Sequence, residues 1–226
     1  MCPFCYIGKQ KFDKALEAFP HRDKIDVEWK SFELMPDLKS GEAQDMREML
    51  VETKGMEMQQ VKAMTSQIAQ AGAQVGIDFK FEKALAVNTH RAHGLIHLAK
   101  ANGKQHEAED ILFRSLFTEG KNVDDIRTLV SLGEELGLDP QEVKASLENG
   151  TYDQEVEKDI YEARQVGVRG VPFFALNRKY AISGAQETET FLQALDKSFK
   201  EWQRENAAPA MEVIEGKSCS PDGSCD

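Results

Sequence analysis

Apolar positions at Phe12, Ala15, Leu16 and Phe19 recur with helical spacing, so residues 9–19 predict an amphipathic helix. Residues 25–32 (Ile-Asp-Val-Glu-Trp-Lys-Ser-Phe) alternate with period two and predict a strand with one face on a core, ended by Leu34-Met35-Pro36. From about Gly41 to Val166 the pattern is helical. Met46, Met49 and Leu50 make a short stripe, and Val61, Met64, Ile68 and Val75 a longer one. Asn88 is a plausible N-cap for a helix over 89–101, which stops at Asn102-Gly103. Further helices fit 107–117, 124–136, 141–148 and 153–165, punctuated by Gly120, Gly137, Pro140 and Gly150. The compact run at 171–176, the turn Asn177-Arg178-Lys179 and the run at 180–183 predict a β-hairpin. A last helix over 187–202 carries Phe191, Leu192, Leu195 and Phe199, and periodicity is lost from Ala207.

Composition narrows the function classes. A chain of 226 residues, 41% hydrophobic and 30% charged, can bury one good core, as a single domain or as a domain with an insertion. The net charge of −11 argues against nucleic acid and anionic membrane surfaces as partners. The sequence shows neither a bilayer-spanning run nor an export signal, so the expected location is cytoplasmic. In that compartment cysteines are expected to be catalytic, regulatory or metal-binding.

Cys2-Pro3-Phe4-Cys5 opens the first predicted helix. Cys2 falls at or beside its N-cap, Pro3 at the first helical position, and Cys5 one turn on. Unpaired N–H groups and the positive end of the helix dipole stabilise a thiolate on Cys2, the attacking species in disulfide exchange. Cys5 is close enough to close an intramolecular disulfide and expel a bound partner. Half of a zinc site would need a second pair of compatible spacing, and the other cysteines, Cys219 and Cys225, stand at the far end. A structural disulfide fits poorly with so few cysteines in a chain without an export signal.

The order of elements resembles an α/β thioredoxin-like fold with an inserted all-helical domain, as in the DsbA-like oxidoreductases. The match is to the FrnE-type branch, which is related to 2-hydroxychromene-2-carboxylate isomerases. The resemblance is carried by residues 2–8, by Ser31-Phe32-Glu33-Leu34, by Asn88-Thr89-His90-Arg91-Ala92-His93, by residues 117–121, by Gly170-Val171-Pro172-Phe173-Phe174 and by the hairpin. It implies a discontinuous thioredoxin-like domain over 1–36 and 167–205, a helical insertion over 37–166 and a tail over 206–226. It also implies a cis Val171–Pro172 bond beside the cysteine pair, with Pro3, Phe4, Val171 and Pro172 contacting substrate and the main chain at Val171 pairing with an extended segment. In this fold a central strand runs into the cysteine helix, yet only Met1 precedes Cys2. The first central strand is therefore missing from this sequence, and about ten further residues are expected upstream.

The activity so implied is dithiol–disulfide exchange on protein or small-molecule disulfides by a monomer or homodimer, with Cys2 attacking and Cys5 resolving. No cofactor is expected, with glutathione a candidate co-substrate. The alternatives are a glutathione-dependent isomerase or transferase of the 2-hydroxychromene-2-carboxylate isomerase type, and a redox-sensing stress protein. Relatives of the former type often carry serine where Cys2 stands. Phe4 offers no imidazole to the Cys2 thiolate, so the thiol pKa is expected to fall less than in the most oxidising members. Cys219 and Cys225 enclose Ser-Pro-Asp-Gly-Ser, a run with strong turn chemistry, and read either as a second redox pair or as exposed tail thiols. His90, His93 and His97 share one helical stripe that nothing on the same turn completes. No metal is expected there. The stripe reads as a solvated face or as a polar lining beside the cysteine pair.

Overall fold

The computed structural model describes residues 1–206; Cys219 and Cys225 lie outside the described residues. Cys2 is extended (φ −126°, ψ 128°) and Pro3 follows in the first turn, so helix α1 (Pro3–Ala18) starts where a missing N–H leaves no bond unmade. One stripe of α1 buries Phe12 and Ala15, and Phe19 just beyond it is buried with them. They meet an antiparallel hairpin of β1 (Phe173–Leu176) and β2 (Tyr180–Ser183), with Phe173 opposite Ser183 and Leu176 opposite Tyr180, and the helix α2 (Thr188–Glu205). These strands and this helix are the last in the chain, and they pack on the first helix. The rings of Phe12, Phe174 and Phe191 sit 4.7–5.7 Å apart, tilted or edge-on, and Phe19 meets Phe199 at 5.7 Å. Such pairs contribute about 0.5–1.5 kcal/mol each beyond their burial.

Between the two halves of this assembly runs a helical tract: α3 (Met46–Lys54), α4 (Met58–Ala73), α5 (His90–Ala101), α6 (Gln105–Arg114), α7 (Ile126–Glu135), α8 (Pro140–Glu148) and α9 (Asp153–Gln165). Aspartates 45, 125 and 139 cap three of these helices by accepting backbone N–H groups, the usual use of a short carboxylate there. The helix α5 lies at the centre, with Ala92, Leu95, Leu98 and Ala99 at most 2% exposed, so it is apolar on more than one side. Asn88 accepts from His90 N at 2.8 Å, one residue before the cap position the helix takes. Ile7 of α1 belongs to this second cluster, so α1 contributes to both cores.

Two elements differ from expectation. Residues 25–32 alternate in burial as the sequence predicts but join no sheet among the described residues. Side chains from the helical tract satisfy them instead. Gln105 accepts from Trp29 N (3.1 Å) and donates to Trp29 O (2.9 Å), standing in for a neighbouring strand, and Asp159 accepts from Ser31 N (3.0 Å). Periodicity reports the buried face of a strand but not its ladder partner. The second difference is a three-residue antiparallel pair, β3 (Ala43–Asp45) with β4 (Leu85–Val87), too short to show a period.

Candidate active site

Cys2 is 8% exposed and Cys5 half-buried, both as free thiols. The Cys2 thiol is pulled down from 9.0 to about 6. The Cys5 thiol donating toward it is the largest cause; burial works against it, and the amides of Cys5 and Phe4 add to it. These amides face the sulfur without closing a formal capping hydrogen bond. The same contact, with burial, drives the Cys5 thiol strongly upward. One sulfur is thus an anion near neutrality, and its neighbour keeps its proton.

The second half of the site comes from the far end of the chain. The Val171–Pro172 peptide bond is cis, and Cys2 Sγ lies 3.8 Å from the Val171 carbonyl oxygen. Pro172 is buried, and its own carbonyl accepts from Gly184 N at 2.8 Å, which ties the loop to the end of the hairpin. Gly8 makes the approach possible. A Cβ there would lie 3.1 Å from Pro172 Cγ, closer than a side chain is comfortably held, and would just touch the Phe174 ring at 3.4 Å. Phe4 is 46% exposed beside the sulfurs, whereas Pro3 and Val171 are half-buried. The six residues singled out for this site from the sequence, Cys2, Pro3, Phe4, Cys5, Val171 and Pro172, therefore belong to two segments that meet.

One turn beyond Cys5, Lys9 is fully buried. Its ammonium sits 2.8 Å from Asp13 Oδ2, 2.7 Å from Asp110 Oδ2 and 2.9 Å from His106 Nε2. Asp13, His106 and Asp110 bring ligand-type atoms within 4.8 Å of one another, as at a metal site, but the lysine nitrogen takes the place a cation would have. The network joins α1 to α6. Lys9 falls on the same stripe as Cys5 and Phe12, and a charge on an otherwise apolar stripe is the signal by which the sequence could have revealed it.

The histidine stripe is not a solvated face. His93 and His97 are 7% and 6% exposed. His97 Nε2 lies 3.2 Å from both Ser31 Oγ and Asp159 Oδ2, and His90 bridges Glu33 (2.8 Å) and Asp153 (3.2 Å). These contacts fasten residues 28–33 to α5 and α9. Both ring nitrogens of His93 are buried without a hydrogen-bond partner, and burial pushes its pKa down to about 3. Helical spacing put these three on one side, but neighbours in sequence could not show that this side faces inward.

Comparison with known proteins identifies the family and the fold. The family model of the DSBA-like thioredoxin domain matches residues 1–196. The chain is 30% identical over 203 residues to the uncharacterised protein YwbO of Bacillus subtilis (strain 168), covering 86% of this chain and 91% of that one. Its structure is similar to that of a probable DsbA oxidoreductase from Streptomyces coelicolor, with a TM-score of 0.84 and 37% identity over 100% of this chain and 94% of the other. The fold alone is shared with a 2-hydroxychromene-2-carboxylate isomerase (TM-score 0.63, 16% identity, 91% and 93% covered). It is also shared with the cytosolic disulfide reductase DsbM from Pseudomonas aeruginosa (0.57, 19%, 92% and 96%).

Proposed function

Since the chain belongs to the DSBA-like thioredoxin family, we propose that it is a thiol–disulfide oxidoreductase working through Cys2 and Cys5. The observation that carries this reading is a buried sulfur with its pKa drawn down to about 6, 3.8 Å from the carbonyl of a cis-prolyl loop. Cys2 attacks a substrate disulfide, one substrate sulfur leaves, and the other stays bonded to Cys2. Cys5 then displaces it and closes the Cys2–Cys5 bond, so the substrate leaves reduced and the protein oxidised. Val171 presents its main chain to an extended segment of the substrate, and the exposed Phe4 ring gives that segment an apolar contact. The substrates proposed are protein or small-molecule disulfides. Glutathione is the proposed co-substrate that restores the dithiol, and in the cytoplasm the reaction runs as reduction or isomerisation.

Insulin reduction with glutathione as donor tests this. The unaltered protein should accelerate chain separation, Cys2→Ser should abolish the effect, and Cys5→Ser should accumulate mixed disulfides through Cys2. A Cys5→Ser protein with full turnover and no trapped adduct would overturn the dithiol mechanism. It would favour the glutathione-dependent isomerase reading, which needs no second cysteine.

A further inference from the structure

The two segments that meet at the sulfurs carry no acidic side chain near their meeting point. Residues 1–12 and 163–186 contain neither Asp nor Glu, in a chain where acids outnumber bases 39 to 28. On α1 the first charged side chain is Lys9, which is buried and already committed to Asp13 and Asp110. After Pro172 the next is Arg178, in the turn at the far end of the hairpin. Before Val171 it is Arg169, two residues away.

The loop that carries Arg169 is anchored at both ends. Gly167 N donates to Arg164 O (3.1 Å) and Val168 N to Ala163 O (2.9 Å), with Gly167 left-handed at φ 77°, so α9 closes in a paired C-terminal turn. At the other end Pro172 O accepts from Gly184 N, and the Val171 carbonyl oxygen lies 3.8 Å from Cys2 Sγ. Two residues span at most about 7 Å, which keeps the Arg169 backbone within that distance of Val171. Arg169 is exposed, and a Cβ on Gly170 would meet nothing within 4 Å, so open space lies beside the loop as it turns toward the sulfur. Among the described residues no carboxylate pairs with Arg169. The acids that flank the segment in sequence are taken, Glu162 by Lys30 and Glu187 by Lys11.

An exposed arginine is an ordinary surface feature, and its place on the substrate-receiving loop separates this one from the rest. Attack on a disulfide that bears carboxylates brings negative charge up to the Cys2 anion, and the net charge of −11 adds to the repulsion. A guanidinium on that loop offsets both, and its planar fork matches a carboxylate in two hydrogen bonds. Resting on the dithiol reading above, we propose that Arg169 sets the specificity of this site by taking a carboxylate that the substrate carries close to the sulfur under attack. The substrate class is an anionic disulfide. Glutathione supplies such a group in the glycyl carboxylate next to its cysteine, and a protein supplies it in an acidic side chain beside a cysteine. No bond to Arg169 is made or broken; it acts on binding and on the approach of the substrate sulfur.

Stopped-flow rates of Cys2 attack on two coloured probes test this: dithiobis-nitrobenzoate, with a carboxylate on each ring, and the neutral dithiodipyridine. In Arg169→Gln the ratio of the first rate to the second should fall about threefold or more, the scale of one partly exposed ion pair. Arg169→Lys, which keeps the charge but not the fork, should restore part of it. Raising sodium chloride from about 0.05 to 0.5 M should lower the ratio in the unaltered protein and leave it flat in Arg169→Gln. A merely structural loss slows both probes together, so an unchanged ratio overturns the assignment while leaving the dithiol reading intact. Neither probe reacting through Cys2 in the unaltered protein overturns both. Oxidised glutathione against its glycyl ester, and a disulfide-linked peptide with Glu beside the cysteine against its Gln counterpart, then separate the sources. A preference for the acid form that Arg169→Gln removes assigns the residue to glutathione in the first pair and to protein disulfides in the second. A preference in neither pair overturns the proposal.

Discussion

Replacing Cys5 by alanine tests the electrostatic account of Cys2 most directly. The Cys2 thiol stands at about 6 instead of 9.0. That shift of about three units is worth about 4 kcal/mol between its two protonation states. The Cys5 thiol is the largest favourable cause, ahead of the backbone amides, and burial opposes both. Its loss should move the midpoint up by about one to two units, to between about 7 and 8, leaving the amides to hold the remainder. The alkylation rate at one pH is a poor readout. At pH 7 a midpoint near 7.5 cuts the thiolate fraction about fourfold, but the more basic sulfur is about fivefold more nucleophilic, and the two nearly cancel. The assay is therefore the full pH profile, by thiolate absorbance or by alkylation rate across pH 4 to 10. Cys5→Ser, which keeps a donor, should fall between the alanine variant and the unaltered protein. A Cys5→Ala midpoint within about 0.3 units of the unaltered one would refute the reasoning, since the helix amides would then suffice alone.

Three further outcomes follow from the packing. Gly8→Ala places a methyl group 3.1 Å from Pro172 Cγ and should push the prolyl loop away from α1, lowering insulin-reduction turnover at least severalfold while the Cys2 titration stays put. Lys9→Met leaves Asp13 and Asp110 facing each other without their cation and should cost about 3 kcal/mol in urea unfolding at pH 7, the low end for a broken buried pair because Asp110 keeps access to water. His93 is held neutral down to about 3, whereas its unfolded form takes a proton near 6.5, so stability falls by about 1.4 kcal/mol per pH unit below 6.5 on its account. Glu109 works in the opposite sense, since its raised value makes the fold more stable as pH drops from about 7 toward 4.5. The His93 contribution is therefore read as the difference between unaltered protein and His93→Phe in unfolding series at pH 6, 5 and 4, and parallel curves would contradict it.

The parts of this molecule that chain-local patterns specify were readable from the residues. The stripe Phe12, Ala15, Phe19, the proline after Cys2, and the two short runs around Asn177-Arg178-Lys179 each declare their element and occur as expected. The meeting of Cys2 with Val171 was reached through resemblance, because nothing near either residue encodes the other. Two kinds of fact escaped. Residues 25–32 carry the alternation of a strand, yet their main-chain partners are the side chains of Gln105 and Asp159, and periodicity is silent about such substitutes. Lys9, His93 and Glu109 are polar residues turned inward. Their types suggest a surface, and only the packing of α5 and α6 against α1 and residues 28–33 shows why each is tolerated or kept.

The thiol at position 2 and the carbonyl at 171 that faces it are separated by 169 positions. On the ribosome, the cysteine pair emerges long before the partner loop. Until residues 171–172 have been made, the cis-prolyl half of the site is absent from the chain. The groups that lower the Cys2 thiol lie within the first turn of α1, whereas the loop that faces it is supplied only once most of the chain has been made.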